Sequence, residues 1–189
     1  MILRGEKTIL RPIAASHLPR FVRWLRDDDV RKGLSGNPKG PTLKQEKAWF
    51  AGLPKKKKSE KHFAIDTKDG LHIGSASLRL DVTHKRAEIG ILIGDKQAWG
   101  RGYGKEVMVL LMRYGFEKLK LHRIELGVYA YNTRAIALYK KLGFKLEGKK
   151  RDFILWKGKF YDELLMGMLA KEWDGGRTGF SLRVSAQGV

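Results

Sequence analysis

Residues 86–106, RAEIGILIGDKQAWGRGYGKE, change period in their middle, and glycines crowd the junction. In residues 87–93, Ile89, Ile91 and Ile93 fall on one face and Glu88, Gly90 and Leu92 on the other, the two-residue period of a strand. After Gly104, Val107, Leu110, Leu111 and Tyr114 follow the i, i+3, i+4, i+7 spacing of a helical face. Between the two, the run from Trp99 through Gly100, Arg101, Gly102 and Tyr103 to Gly104 lacks a side chain at alternate positions. Its backbone N–H groups can converge on an anion at the positive end of the following helix. The segment therefore predicts a strand, a cradle suited to a diphosphate, and a helix, in that order.

The rest of the chain supplies partners for that unit. Residues 8–13 read as a short strand with Pro12 near its end, and Ser16 as the N-cap of a helix running to about Asp28 with Leu18, Phe21, Val22 and Leu25 on one face. A loop with Gly33, Gly36, Pro38, Gly40 and Pro41 follows, and Thr42 caps a second helix carrying Trp49 and Phe50. Residues 62–66 and 73–80 read as strands joined by a turn at Lys68, Asp69 and Gly70, and residues 123–129 alternate with Ile124, Leu126 and Val128 inward. Residues 133–142 carry Ala135, Leu138, Tyr139 and Leu142 at helical spacing, and Gly143 suits a left-handed cap. Residues 144–148, 152–156 and 160–169 complete the strands, with a turn at Lys157 and Gly158. This order predicts an α/β (α+β) fold, a mixed, mostly antiparallel central sheet of about six to seven strands flanked by about four helices. At 189 residues one domain suffices, placed at residues 1–173, with a flexible tail at residues 174–189, where Gly, Ser and Thr accumulate.

Composition narrows the chemistry. Cysteine is absent, which removes disulfides, thiolate nucleophiles and Cys-type zinc sites. The five histidines, His17, His62, His72, His84 and His122, show no close pairing, so no metal is expected. No apolar run approaches the ~18 residues of a membrane span, and the first residues lack a secretory apolar block, which predicts a cytoplasmic protein without membrane contact. Lys and Arg outnumber Asp and Glu by 39 to 20, a formal charge of +19. That surplus reads either as a solvated surface or as a field attracting phosphates, RNA or anionic substrates. The run at residues 55–61 reads as a solvent-exposed loop.

Three separated segments, TILRPI, WGRGYGKE and YNTRAIALYKKLGFKLEG, resemble the GNAT N-acetyltransferase superfamily, nearest its branch of ribosomal-protein N-terminal acetyltransferases and spermidine acetyltransferases. A weaker fourth lies in DFILWKGKFYDELLMGML, and the resemblance spans residues 8–173. It implies a GNAT-like acyl-CoA acyltransferase fold, acetyl-CoA as cosubstrate and an amine as acceptor. In the register that places Gly102 and Gly104 at the helix mouth, Trp99 stands where the family has a polar residue. Within a cofactor-binding loop of Trp99, Gly100, Arg101, Gly102, Tyr103, Gly104 and Lys105, the backbone amides of about Arg101 to Lys105 would then hold the pyrophosphate, with charge added by Arg101 and Lys105. The resemblance further implies that the main chain of Ile91, Leu92 and Ile93 binds the pantetheine arm, that Asn132 contacts the cofactor and that Tyr139 donates a proton. A phenol near ~10 suits a general acid for a thiolate whose thiol lies near ~8.5; the other reading of Tyr139 is a core residue beside Leu138 and Leu142.

An alkylammonium near ~10 must lose a proton before it attacks, and related enzymes often place a carboxylate one strand before the cofactor loop, at Glu88. Glu88 reads otherwise as a surface partner of Arg86 or Lys85. Without cysteine, direct attack in a ternary complex is the simplest mechanism. The charge disfavours polycationic acceptors and suits a protein N-terminal amine presented near ribosomal RNA, or an anionic amino-sugar nucleotide. A catalytically inactive, RNA-associated binding module is the alternative from another class. Relatives' habits imply a homodimer.

Overall fold

The computed structural model describes residues 1–34, 39–56 and 58–176. Its elements run β1 (Leu3–Arg4), β2 (Thr8–Pro12), α1 (Leu18–Arg26), α2 (Asp28–Arg31), α3 (Leu43–Gly52), β3 (Glu60–Thr67), β4 (His72–Asp81), β5 (Arg86–Ile93), α4 (Tyr103–Arg113), β6 (Arg123–Tyr129), α5 (Thr133–Lys141), β7 (Lys145–Trp156) and β8 (Lys159–Leu169). The strands form one sheet in the order β1-β2-β3-β4-β5-β6-β8-β7. All neighbours are antiparallel except β5 and β6, which pair in parallel only from Arg86 opposite Arg123 to Glu88 opposite Glu125. Beyond that third rung the two strands part, so the sheet opens as a wedge.

Eight strands and five helices stand where six to seven and about four are expected. β1 has only two residues, and residues 144–148 and 152–156 join into one twelve-residue strand. β7 is continuous because Asp152, at φ 48°, lets it bulge while its register against β8 shifts between Lys150 and Ile154. The additional helix, α2, starts where the Asp27 carboxylate accepts the Asp29 N–H at 2.9 Å. Ser16 caps nothing: it is exposed in a 3-10 turn, and α1 starts at Leu18. The buried His17 ring accepts the Ala14 N–H at 3.0 Å and holds that turn. Thr42 does cap α3, accepting the Gln45 N–H while Gln45 returns the bond to the Thr42 N–H at 2.7 Å.

The sheet separates two cores. Ala87 and Ile89 of β5 face α4, with Ile91 and Ile93 packed on the same cluster, while Leu92 turns to the opposite face, against Phe21 and Trp24 of α1. α4 is wider in its burial than the single stripe read from its sequence. Every residue from Glu106 to Met112 is buried, the pattern of a helix enclosed all round. One flank is covered by the chain end, where Trp173 stacks on Phe116 at 5.9 Å and Gly176 is buried. Arg113 donates to the Gly175 carbonyl at 3.2 Å. The packed body thus includes residues 174–176, and the remainder of the expected tail lies outside the described residues. Among the described residues no helix is long and apolar enough to cross a membrane.

Candidate functional site

A cavity of about 550 Å³ fills the wedge between β5 and β6. Its walls come from Ile91, Leu92 and Ile93 on one side, the start of α4 on a second, the start of α5 on a third, and α2 with the residues after it on the fourth. Two helix N-termini therefore meet one space, and each brings N–H groups without an intrahelical partner and a positive partial charge.

At α4 the geometry depends on glycine. Gly100 has φ +81° and Gly102, the N-cap, φ +85°. A side chain at either is strained, and one at Gly102 meets Lys7 Nζ at 3.7 Å. Gly104 sits in the first turn, where an added Cβ would stand 3.9 Å from Ile93 Cγ1, and its bare backbone leaves the mouth open. The loop is fixed from both ends. The Trp99 indole N–H donates to the Ile93 carbonyl at 2.7 Å, tying the loop to the last residue of β5. That bond occupies one of the two lone pairs of the Ile93 carbonyl. The other tie is Glu106, fully buried in the first turn of α4. Its carboxylate accepts the Glu6 N–H at 2.6 Å, the Lys7 N–H at 3.0 and 3.1 Å, and the Thr8 hydroxyl at 2.6 Å. Lys7 Nζ in turn donates to the Arg101 carbonyl at 3.2 Å. Charge-assisted bonds of this kind contribute roughly 1.5–3 kcal/mol each, so Glu106 anchors the cradle to the start of β2.

At α5, Asn132 is the N-cap and its side-chain oxygen accepts the Ala135 N–H at 3.2 Å. Two turns on, Tyr139 lines the same cavity and is only 8% exposed. Burial pushes its phenol up to about 12, so it holds its proton throughout the neutral range. Tyr131 stands between the cofactor side and the α2 side. Its hydroxyl donates to the Lys32 carbonyl, its ring packs edge-on against Tyr161 at 4.7 Å, and burial, with help from Tyr129 and Tyr161, pushes it up to about 12.

Of the residues expected at the site, the fold gathers Ile91, Leu92, Ile93, Trp99, Gly100, Gly102, Tyr103, Gly104, Lys105, Asn132 and Tyr139 around the cavity. Arg101 is not in its lining, and Glu88 is elsewhere. Glu88 faces a second cavity of about 320 Å³ with Glu125, Glu147 and Glu163, and takes a hydrogen bond from Arg79 across β4 at 2.6 Å. The alternation that turned Glu88 away from the isoleucines was read rightly, but the wedge opens beyond it. Lys7 and Glu106 were missed, since each acts through residues nearly a hundred positions away. Lys32 and Arg134 also line the cavity, and with Lys105 they bring three cations against one carboxylate, Asp29. A left-handed glycine cap, two helix N-termini and these cations suit a diphosphate-bearing cosubstrate such as acetyl-CoA.

A second cluster was invisible in sequence. His17 and His72 stack at 4.3 Å, and with Asp66 they bring their ligand atoms within 4.8 Å of one another. Asp66 pairs with Arg11 and takes His72 Nδ1 at 3.0 Å. His17 Nδ1 is an acceptor from Ala14, so in the neutral ring the proton is on Nε2, and this atom and His72 Nε2 are both buried without a hydrogen-bond partner among the described residues. Burial, with the charges of His72 and Arg11, lowers the His17 pKa to about 4, and burial lowers that of His72. The cluster packs beneath α1, with its one carboxylate held by Arg11.

Comparison with known proteins agrees with this geometry. The family model for the acetyltransferase (GNAT) domain matches residues 7–145. The uncharacterized N-acetyltransferase p20 of Bacillus licheniformis is 38% identical over 96 residues, which is 51% of this chain and 53% of that protein, so the match spans about half of each. RimJ of Mycobacterium smegmatis, solved with CoA-disulfide, superposes with a TM-score of 0.79 at 21% identity, covering 94% of this chain and 91% of its own. The spermidine N-acetyltransferase of Vibrio cholerae, solved with CoA and spermine, gives 0.79 at 22%, covering 87% and 96%; both share the fold. The family match takes in the wedge strands, the glycine-capped helix and Tyr139 alike, and on that ground the chain belongs to the GNAT acetyltransferase family.

Proposed function

We propose that this chain moves an acetyl group from acetyl-CoA to the N-terminal amine of a protein, by direct attack in a ternary complex. The observation that carries the acceptor is the charge of the cavity. Its one lining carboxylate, Asp29, is 71% exposed and bound by Lys96 at 3.1 Å, while Lys32, Lys105 and Arg134 are cationic. The carboxylates of the neighbouring cavity are matched by Arg79, Arg123 and Lys150. A polyamine finds no unmatched anion there. An N-terminal ammonium near ~8 is about a tenth neutral at pH 7, whereas an alkylammonium near ~10.4 is roughly 250-fold less so. With Glu88 held by Arg79, an acceptor that loses its own proton to water fits this site best.

In the reaction the amine nitrogen forms the C–N bond and the C–S bond breaks. The departing thiolate takes a proton from the Tyr139 hydroxyl, and the proton lost by the ammonium restores it through solvent. Acetyl-CoA supplies the activated thioester. The main chain at residues 100–105 and Asn132 would hold it, and positioning supplies most of the rate. The working compartment of this reading is the cytoplasm.

The test offers acetyl-CoA with peptides bearing free N-termini, spermidine, an aminoglycoside and an amino-sugar nucleotide, and follows thiol release with mass analysis of the product. Acetylation at peptide α-amines, lowered about 10- to 100-fold in kcat by Tyr139→Phe with acetyl-CoA affinity kept, is expected. Turnover confined to the small amines would overturn the acceptor.

A further inference from the structure

The excess positive charge is matched on one side of the molecule and unmatched on another. Along β7 and its turn, Lys145, Lys149, Lys150 and Lys157 meet Glu172, Asp162, Glu163 and Asp28 at 2.6–2.9 Å. Residues 39–61 carry eight lysines against two carboxylates, Glu46 and Glu60. Lys39, Glu60 and Lys61 have partners of their own there. Glu60 is bound to His62 at 2.7 Å, and Glu46 is half-buried. Lys44, Lys47, Lys55 and Lys58 are exposed, and none has an ion pair among the described residues.

Lys44 and Lys47 are three apart on α3, so they share a helical face, and at ~1.5 Å per residue that helix is about 15 Å long. Lys55, in the 3-10 turn Leu53–Lys56, and Lys58 follow its C-terminal end. Between the lysines the exposed residues are Gln45, Ala48, Ala51 and Pro54, while Trp49 and Phe50 pack inward on the α1 cluster. A bilayer surface is held by aromatic and aliphatic anchors among the cations, and unstacked bases are held by exposed aromatic rings. This face offers one exposed aliphatic side chain, Leu43, and no exposed aromatic ring among its described residues. It offers four exposed lysines without an ion pair among the described residues, the charge that phosphodiester groups neutralise.

We propose that the outer face of α3 and the turn after it docks a nucleic acid through its phosphodiester backbone, without reading base sequence. The face lies on the α1 side of the sheet, away from α4, and the assignment stands whatever amine the cavity acetylates. About four phosphates neutralised predict a slope of log affinity on log salt near −3.6, which is about a 150-fold loss from 50 to 200 mM salt.

The experiment measures anisotropy of a labelled RNA hairpin and a DNA hairpin of the same sequence across that salt range, and sedimentation of vesicles containing phosphatidylserine. It compares the unaltered protein with two charge reversals of equal size. One is Lys44→Glu, Lys47→Glu, Lys55→Glu and Lys58→Glu. The other is Arg4→Glu, Lys68→Glu, Lys118→Glu and Lys171→Glu, placed off this face. Calorimetric acetyl-CoA binding checks that both fold. Loss of most of the salt slope and at least 30-fold in affinity in the first variant, with the second within about threefold, is expected. Whichever hairpin binds more tightly identifies RNA or DNA as the source of the backbone. Equal loss in both variants would mean a diffuse field and overturn the site. So would absence of hairpin binding at 50 mM salt, or vesicle binding that depends on the same four lysines.

Discussion

Two regions beside the cavity are built from different material. At the start of α4, residues 100–106 present backbone N–H groups from one stretch of chain, set by two left-handed glycines and by Glu106. Around α2, side chains from remote segments lean on one another. The Tyr131 hydroxyl reaches the Lys32 carbonyl, the Arg31 guanidinium lies 5.1 Å over the Trp156 ring, and Lys157 meets Asp28 at 2.9 Å. Main-chain recognition is local and intolerant of change. Recognition by side chains on separate elements is distributed, and single exposed members of it matter little.

If that contrast holds, Gly102→Glu has the largest effect. It places an L residue at φ +85° and a carboxylate where a diphosphate must sit, so acetyl-CoA affinity falls more than about 100-fold by calorimetry. Unchanged affinity would break the contrast at its strongest point. Glu106→Gln comes next. It keeps the shape but gives up the charge that three backbone or hydroxyl donors converge on, costing about 2 kcal/mol by chemical denaturation and about tenfold in acetyl-CoA affinity. A loss of stability alone, with affinity kept, would make Glu106 a core anchor without bearing on the cradle.

Acid separates the regions further. His17, beneath α1, has a folded-state pKa of about 4 against an ordinary 6.5, so the neutral ring favours folding above pH 6.5, and that contribution is lost as the pH falls towards 4. Between pH 7 and 5 the loss amounts to about 2 kcal/mol. Hydrogen exchange at pH 5 then loosens α1 before α4, and His17→Phe flattens the dependence. The smallest effect belongs to Lys157→Ala, which removes an exposed ion pair to Asp28 of α2. The melting temperature is unchanged and the acceptor KM moves no more than about twofold.

The same division governs what could be read from the chain. The strand, loop and helix of residues 86–113 follow from period and glycine spacing, and the register that placed Gly102 at the helix mouth is the one found. Asn132 and Tyr139 were placed together by helical spacing within one element. What escaped depends on tertiary partners. Lys7 reaches Arg101 and Glu106 reaches Thr8 only because the start of β2 lies against the first turn of α4. His17 and His72 carry no spacing signal, because a helix and a strand bring them together. Glu88 has the right alternation on the right strand, but β5 leaves β6 only beyond it, and the register of β4 sets Arg79 directly opposite.

The two borders of the sheet bear on how the chain survives at high concentration. An open border is a template on which another chain can add a strand. β1 offers only two residues to such an addition. β7 offers twelve, with Leu146, Phe153 and Leu155 exposed along it, yet its two register shifts and the left-handed Asp152 interrupt the ladder. Lys145, Lys149, Lys150 and Arg151 add charge along the same border. Straightening β7 by removing its bulge would therefore offer an uninterrupted twelve-residue ladder to strand addition by another copy.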